Sequence, residues 1–258
     1  MDRESPCSLA KEGGIFMSLQ IKAIKKSFEG KEVLSDVSFS IEDGEFVSLI
    51  GPSGSGKSTL FSLIGGIHLP DEGEIYLDEG LIVGKKGNIS YMPQDDALFP
   101  WRTILDNVLL GQELQGKQEK ERAIKMLEKA GLADVIHAYP HQLSGGMKQR
   151  ASFIRALLSP QNVLLLDEPF SALDEFTRLD MQKWLLDIWE ADRQSILFIT
   201  HHIEEALFLS DKIVILTDRP TRVKEIIDIP FARPRDEAIL LTEEFLQWKR
   251  KILEIIRQ

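Results

Sequence analysis

The sequence predicts an α/β chain with a mainly parallel core sheet, an N-terminal antiparallel β subdomain and an inserted helical subdomain. Three observations lead there. The runs "FVSLI", "NVLLLDE" and "SILFIT" are short and uniformly apolar, as strands covered on both faces are. Strand-like and helix-like stretches alternate before about residue 95 and again after 160. Between those points the character is helical.

The elements follow in order. "MDRESPCSLAKEGGIF" (1–16) reads unlike the rest and lacks the charged start, long apolar middle and cleavage site of a secretory signal. Lys-Glu-Gly-Gly at 11–14 can be encoded by a purine-rich bacterial ribosome-binding sequence, two codons before Met17. Residues 1–16 are therefore either non-native, with the true start at Met17, or an ordinary disordered extension. A single domain is expected over 17–258.

"LQIKAIKKSF" alternates apolar and polar residues as an edge strand would, and turns at Glu29-Gly30. "VLSDVSFSI" continues the pattern to a turn at Asp43-Gly44. "FVSLI" enters a glycine loop, "KSTLFSLIGGI" reads as a helix, and "EIYLD" as a short strand after the turn "LPDEG". In the helical subdomain (about 95–160), "EKERAIKMLEKAGL" sets Ile124, Leu127 and Ala130 on one face with Gly131 as a stop. "MKQRASFIRALLSP" is a second helix, ended by Ser159-Pro160. Then come the strand "VLLL", a helix over 175–190, the strand "SILFIT", a short helix near 203–209 and the strand "KIVIL". An amphipathic terminal helix is expected over about 236–258.

Composition narrows the function. A net charge of −10 argues against nucleic acid as the main partner. One cysteine, Cys7, excludes an internal disulfide framework and fits a reducing compartment. No apolar run approaches the roughly 18 residues that span a bilayer.

"GPSGSGKST", Gly51 to Thr59, satisfies the phosphate-loop pattern between a strand and a helix. Glycines there let backbone amides of Gly51, Pro52-flanking Ser53, Gly54, Ser55 and Gly56 converge on phosphate oxygens, and the helix end favours the same anion. Lys57 can reach the β- and γ-phosphates, and the Ser58 hydroxyl can face Mg²⁺ beside Thr59. "VLLLDEP" ends a buried strand in Asp167, a metal-facing position in a P-loop NTPase, followed by Glu168 as candidate general base.

One phosphate loop leaves "LSGGMKQR" (143–150) unexplained, and here the chain resembles the nucleotide-binding subunits of ATP-binding cassette (ABC) transporters. The motifs stand in order: "GPSGSGKST" is similar to Walker A, "VLLLDE" to Walker B, "LSGGMKQR" to the signature, "SALD" (171–174) to the D-loop, Gln94 to the Q-loop glutamine and "TH" (200–201) to the switch histidine. The resemblance runs from Leu19 to about Ile215 and is expected to continue to the end. It implies an ABC ATPase fold, with ATP and Mg²⁺ as cofactors. It also implies a head-to-tail homodimer in the ATP-bound state, where Ser144, Gly145 and Gly146 cap the nucleotide on the partner's Walker A loop. Phe28 would stack on adenine, Gln94 would touch Mg²⁺ and the attacking water, His201 would hold the γ-phosphate, and Asp174 would shape the dimer seam. Met147 replaces the commoner glutamine, and His202 stands where many relatives carry Asp.

"LFPWRTILDNV", "EPFSALDEFTR" and "THHIEEAL" are similar to the ATPases of nitrate, sulfonate and taurine importers, and to those for thiamine precursors. This implies separate membrane permease subunits docking near Leu98, Phe99 and Trp101, an extracellular solute-binding protein engaged indirectly, and a place at the cytoplasmic face of a bacterial membrane. An exporter ATPase is the rival reading. A non-transport cassette of translation or DNA repair fits less well, since the chain has one cassette, no heptad array and no Cys cluster.

Overall fold

The computed structural model describes residues 17–116 and 118–257, so both readings of residues 1–16 lie outside the described residues. β1 (Met17–Phe28) and β2 (Lys31–Glu42) form a hairpin. Its turn residues Glu29 and Gly30 have φ of 49° and 77°, the left-handed pair that a two-residue hairpin needs. β4 (Glu72–Leu77) pairs with the other side of β1, and β5 (Gly80–Leu81) follows, giving the order β2-β1-β4-β5. β1 is therefore interior, which corrects the expected edge strand. Its alternation reports a sheet with one wet face: Leu19, Ile21 and Ile24 are buried while Lys22 and Lys25 face out.

β3 (Phe46–Ile50) lies inside a six-stranded sheet of order β10-β9-β3-β8-β7-β6. β9 (Lys212–Leu216), β3, β8 (Ser195–Ile199), β7 (Val163–Asp167) and β6 (Ser90–Met92) are parallel, and β10 (Val223–Asp228) is an antiparallel edge. Alternate residues serve two cores. Val47, Leu49, Leu165, Leu197 and Val214 join α1 (Lys57–Ile64) and the antiparallel sheet. Phe46, Ile50, Leu164, Leu166, Phe198 and Ile215 join the helices on the opposite face. Burial on both faces explains the unbroken apolar runs, and each such side chain contributes about 1.5–3 kcal/mol.

The helical region holds α2 (Ile104–Val108), α3 (Leu110–Leu114), α4 (Lys120–Lys129) and α5 (Gly145–Leu157). α4 buries Ala123, Met126 and Leu127, with Ile124 only half-buried, and Gly131 ends it at a φ of 69°. α5 packs on α2, α3 and α4 and also on β6 and β7, so it joins the helical region to the sheet. α6 (Glu175–Asp192) and α7 (Ile203–Leu209) complete the crossovers.

The terminal helix, expected from about 236, is divided. A short 3₁₀ turn spans Glu237–Leu241, and α8 runs over Glu243–Arg257. Thr242 is extended, and its hydroxyl accepts from the Phe245 amide at 3.2 Å, capping α8. Phe245 and Ile252 anchor that helix in the core.

Candidate active site

The loop after β3 turns sharply to start α1. Gly56 caps the helix at a φ of 95°, and a Cβ there would sit 2.9 Å from Val33 Cγ1 and 3.0 Å from Leu34 Cδ2. Only glycine satisfies both the left-handed backbone and that approach. The loop is braced from behind by buried Thr221, whose hydroxyl donates to the Ser55 carbonyl and whose amide donates to the Val33 carbonyl at 2.9 Å. Lys57 is buried, with Nζ donating to the carbonyls of Gly51 and Pro52 at 2.9 Å each. Burial lowers its pKa, while Glu168 and Asp167 pull the other way.

The carboxylates come from the end of β7. Asp167 is 2% exposed, and burial pushes its pKa up to about 6 against the opposing Ser58 hydroxyl hydrogen bond and the Lys57 charge. Glu168 follows in a left-handed conformation (φ 49°) and donates its amide to the Ile199 carbonyl at 3.0 Å, at the end of β8. Both its carboxylate oxygens are engaged. His201 Nδ1 lies 3.1 Å from Oε1, and Gln94 Nε2 donates to Oε2 at 3.4 Å. Ser53, Gly54, Gly56, Lys57, Ser58, Thr59, Gln94, Glu168 and His201 thus line one cavity of about 250 Å³, together with Arg219.

Other expected site residues stand apart from it. Ser144 caps α5, accepting from the Met147 amide at 3.3 Å, and neither it nor Gly145 or Gly146 lines the cavity. Asp174 caps α6, accepting from the Thr177 amide at 3.0 Å and the Thr177 hydroxyl at 2.6 Å. Phe28 ends β1, 41% exposed, with Lys26 Nζ 5.3 Å from its ring centroid and the His68 ring perpendicular to it at 6.2 Å. His202 lies beside His201, ring centroids 4.2 Å apart, and burial chiefly lowers its pKa.

Of the residues expected beside a permease groove, Leu98 is 7% exposed and packs in the helical core. Trp101 is 71% exposed and stacks on Phe99 with centroids 5.1 Å apart and planes 13° apart. Its turn is held by buried Asn107, whose Oδ1 accepts from the Phe99 amide at 2.7 Å.

Several contacts around these residues lie beyond the sequence expectations. Arg155 of α5 donates to the carbonyls of Ala97 (2.7 Å) and Asp96 (3.1 Å), fixing the segment just after Gln94. Buried Gln149, inside the quoted signature, bonds the Glu168 carbonyl and the residues after it. Arg219 enters the cavity from the loop after β9. For Gln149 and Arg155 the sequence offers no signal beyond their place on the helix that follows Ser144.

Comparison with known proteins gives consistent results. Residues 34–171 match the family model described as "ABC transporter". The aliphatic sulfonates import ATP-binding protein SsuB of Bacillus cereus is 38% identical over 242 residues, covering 92% of this chain and 95% of that protein. The formylaminopyrimidine import ATP-binding protein ThiZ of Halalkalibacterium halodurans is 44% identical over 201 residues, covering 77% and 78%. Among solved structures, a dimeric bacterial ABC transporter cassette superposes with a TM-score of 0.73 at 31% identity, covering 83% of this chain and 100% of that one. A dimeric post-hydrolysis state of the same cassette, bound to ADP and Pi, gives 0.72 at 30% identity over the same shares.

Proposed function

This chain belongs to the ABC transporter family, and from that premise we propose that it is the ATP-hydrolysing subunit of an importer for a small solute. In this reading two copies pair head to tail, and each needs the other to complete its nucleotide site. One observation carries the proposal: Lys57, Ser58, Gln94, Glu168 and His201 line one cavity, while Ser144, Gly145 and Gly146 lie outside it. A signature absent from its own phosphate site has a purpose if it serves the site of a second copy, through the exposed N-terminus of α5.

Each group then has a task. The loop amides and Lys57 hold the phosphates, and the partly exposed ring of Phe28 would stack on the base. Glu168, with one oxygen at His201 and the other at Gln94, is held to accept a proton from the attacking water. His201 lines the same cavity and would face the γ-phosphate, and Asp174 caps α6, which would lie at the seam. Ser58, Asp167 and Gln94 supply hard oxygen ligands that suit Mg²⁺. Among the described residues no group of three or more His, Cys, Asp or Glu is placed to hold a metal ion by itself. Bound there, Mg²⁺ would neutralise charge on the phosphates. Buried Asp167, carrying a raised pKa beside Ser58, is the group whose ionised form such an ion would stabilise.

Transport rests on partners. No helix among the described residues is long and apolar enough to cross a membrane. Exposed Trp101, stacked on half-buried Phe99, is an anchor of the kind that a permease's cytoplasmic helix would cover, which supports a site of action at the cytoplasmic face of a bacterial membrane. The relatives named for sulfonate and formylaminopyrimidine import support import of a comparably small solute, which in this reading an extracellular binding protein would deliver.

One experiment addresses both claims. Tagged Glu168→Gln protein, purified from native membranes with MgATP, should sediment as a dimer when isolated and carry a polytopic permease when not. A monomer at saturating MgATP defeats the dimer, and ribosomal or DNA-repair partners defeat transport.

A further inference from the structure

Gln149 is 5% exposed, and its amide is fully used. Nε2 donates to the Glu168 carbonyl at 3.2 Å and to Ser171 Oγ at 3.0 Å, while Oε1 accepts from the Ala172 amide at 2.9 Å. One turn earlier on the same helix sits Gly146, where a Cβ would lie 3.3 Å from Leu173 Cδ2 and 3.4 Å from the Ala172 carbonyl. The N-terminus of α5, the turn at Glu168 and residues 171–173 are therefore cross-braced within one chain.

Glu168 needs such bracing. A φ of 49° is unfavourable for a residue with a side chain and persists only where the surroundings hold it. The Ile199 carbonyl secures its amide, and the Gln149 amide secures its carbonyl. Moving α5 relative to the sheet therefore tilts the peptide after Glu168.

We propose that Gln149 is a positioning residue linking the two nucleotide sites of the dimer: it sets a chain's own Glu168 according to whether that chain's signature has engaged the partner's nucleotide. This rests on the head-to-tail reading above. Gln149 touches no substrate. It makes hydrolysis at one site conditional on occupancy of the other.

The test is steady-state ATP hydrolysis by the full chain as Gln149→Glu and Gln149→Met. Gln149→Glu still accepts from Ala172 and from the Ser171 hydroxyl but cannot donate to the Glu168 carbonyl, whereas Gln149→Met removes all three bonds at similar volume. For either variant, kcat should fall on the order of 10- to 100-fold with KM for ATP within a factor of about two. The Hill coefficient should drop from roughly 2, the number of sites, toward about 1. Gln149→Met decides if Gln149→Glu does not fold. Unchanged cooperativity in a folded variant, or a non-cooperative wild type, overturns the proposal even when Glu168→Gln still dimerises with MgATP. A Glu168→Gln chain that stays monomeric instead overturns the dimer reading, and the linkage with it.

Discussion

Asn107 offers a quantitative check on how the turn carrying Phe99 and Trp101 is built. Its side chain is 0% exposed, and its Nδ2 faces the carbonyls of Phe99, Arg102 and Thr103 at 3.1, 3.2 and 2.9 Å. Two N–H groups can make two good bonds among those three, and Oδ1 adds the bond accepted from the Phe99 amide at 2.7 Å. At about 1 kcal/mol net per bond, Asn107→Ala should cost about 3 kcal/mol in guanidinium unfolding. That corresponds to a drop of roughly 6–12 °C in Tm for a chain of this size. Asn107→Asp keeps the accepting oxygen but turns a charge toward three carbonyls, so at neutral pH it should cost more than alanine. Burial among carbonyls would raise that carboxyl's folded pKa, so the penalty is absent below the unfolded value of roughly 3.9 and grows as pH rises. An Asn107→Ala cost under about 0.5 kcal/mol, or an aspartate no worse than alanine at neutral pH, would refute the view that this side chain pins the turn.

Two further outcomes follow. Gly56→Ala should weaken ATP binding at least about tenfold, because the left-handed backbone alone costs roughly 1–2 kcal/mol and the methyl meets Val33 and Leu34; a near-native Kd by fluorescent-nucleotide titration would contradict this. Glu205 is 6% exposed, accepting from Thr200 Oγ1 at 2.5 Å and from Gln182 Nε2 at 3.1 Å, and burial raises its pKa from 4.5. A raised carboxyl pKa gives stability that is complete at low pH and lost as pH rises, so the Tm of Glu205→Gln minus that of the wild type should increase above pH 4.5, and parallel profiles would contradict it.

What could be read in the sequence was what it writes locally. β3, β7 and β8 declared themselves because both faces are buried and every position is apolar or nearly so. β6 is three residues long, and β10 buries only Ile227, so neither carries a pattern. β1 was read correctly as a strand, yet alternation cannot separate an edge strand from an interior one with a wet face. Ile239 and Leu240 prolonged the apparent period of the terminal helix, while Thr242 breaks it. The phosphate loop is contiguous and was legible; the Thr221 hydroxyl that braces it comes from 166 residues away and was not. Leu98 and Trp101 are three residues apart with similar hydrophobicity, and only packing sends one inward and the other out.

α5 gathers these dispersed contacts into one device. Ser144 caps it, and Gln149 holds the turn at Glu168. Arg150 donates to the Ala130 carbonyl at the end of α4 at 2.5 Å, and Arg155 grips Asp96 and Ala97 just beyond Gln94. Those last carbonyls lie within a few residues of the Phe99–Trp101 stack. The glutamine and the glutamate that meet across the cavity are therefore both suspended from a single helix. A helix of 13 residues with close-packed sides moves as a body. A push on the patch from outside and a pull on Ser144 from a second copy would act on the same object, and neither could move it without changing the 3.4 Å contact between Gln94 and Glu168. On the proposed reading hydrolysis and docking need no separate wiring, because the geometry at Glu168 depends on where this helix sits.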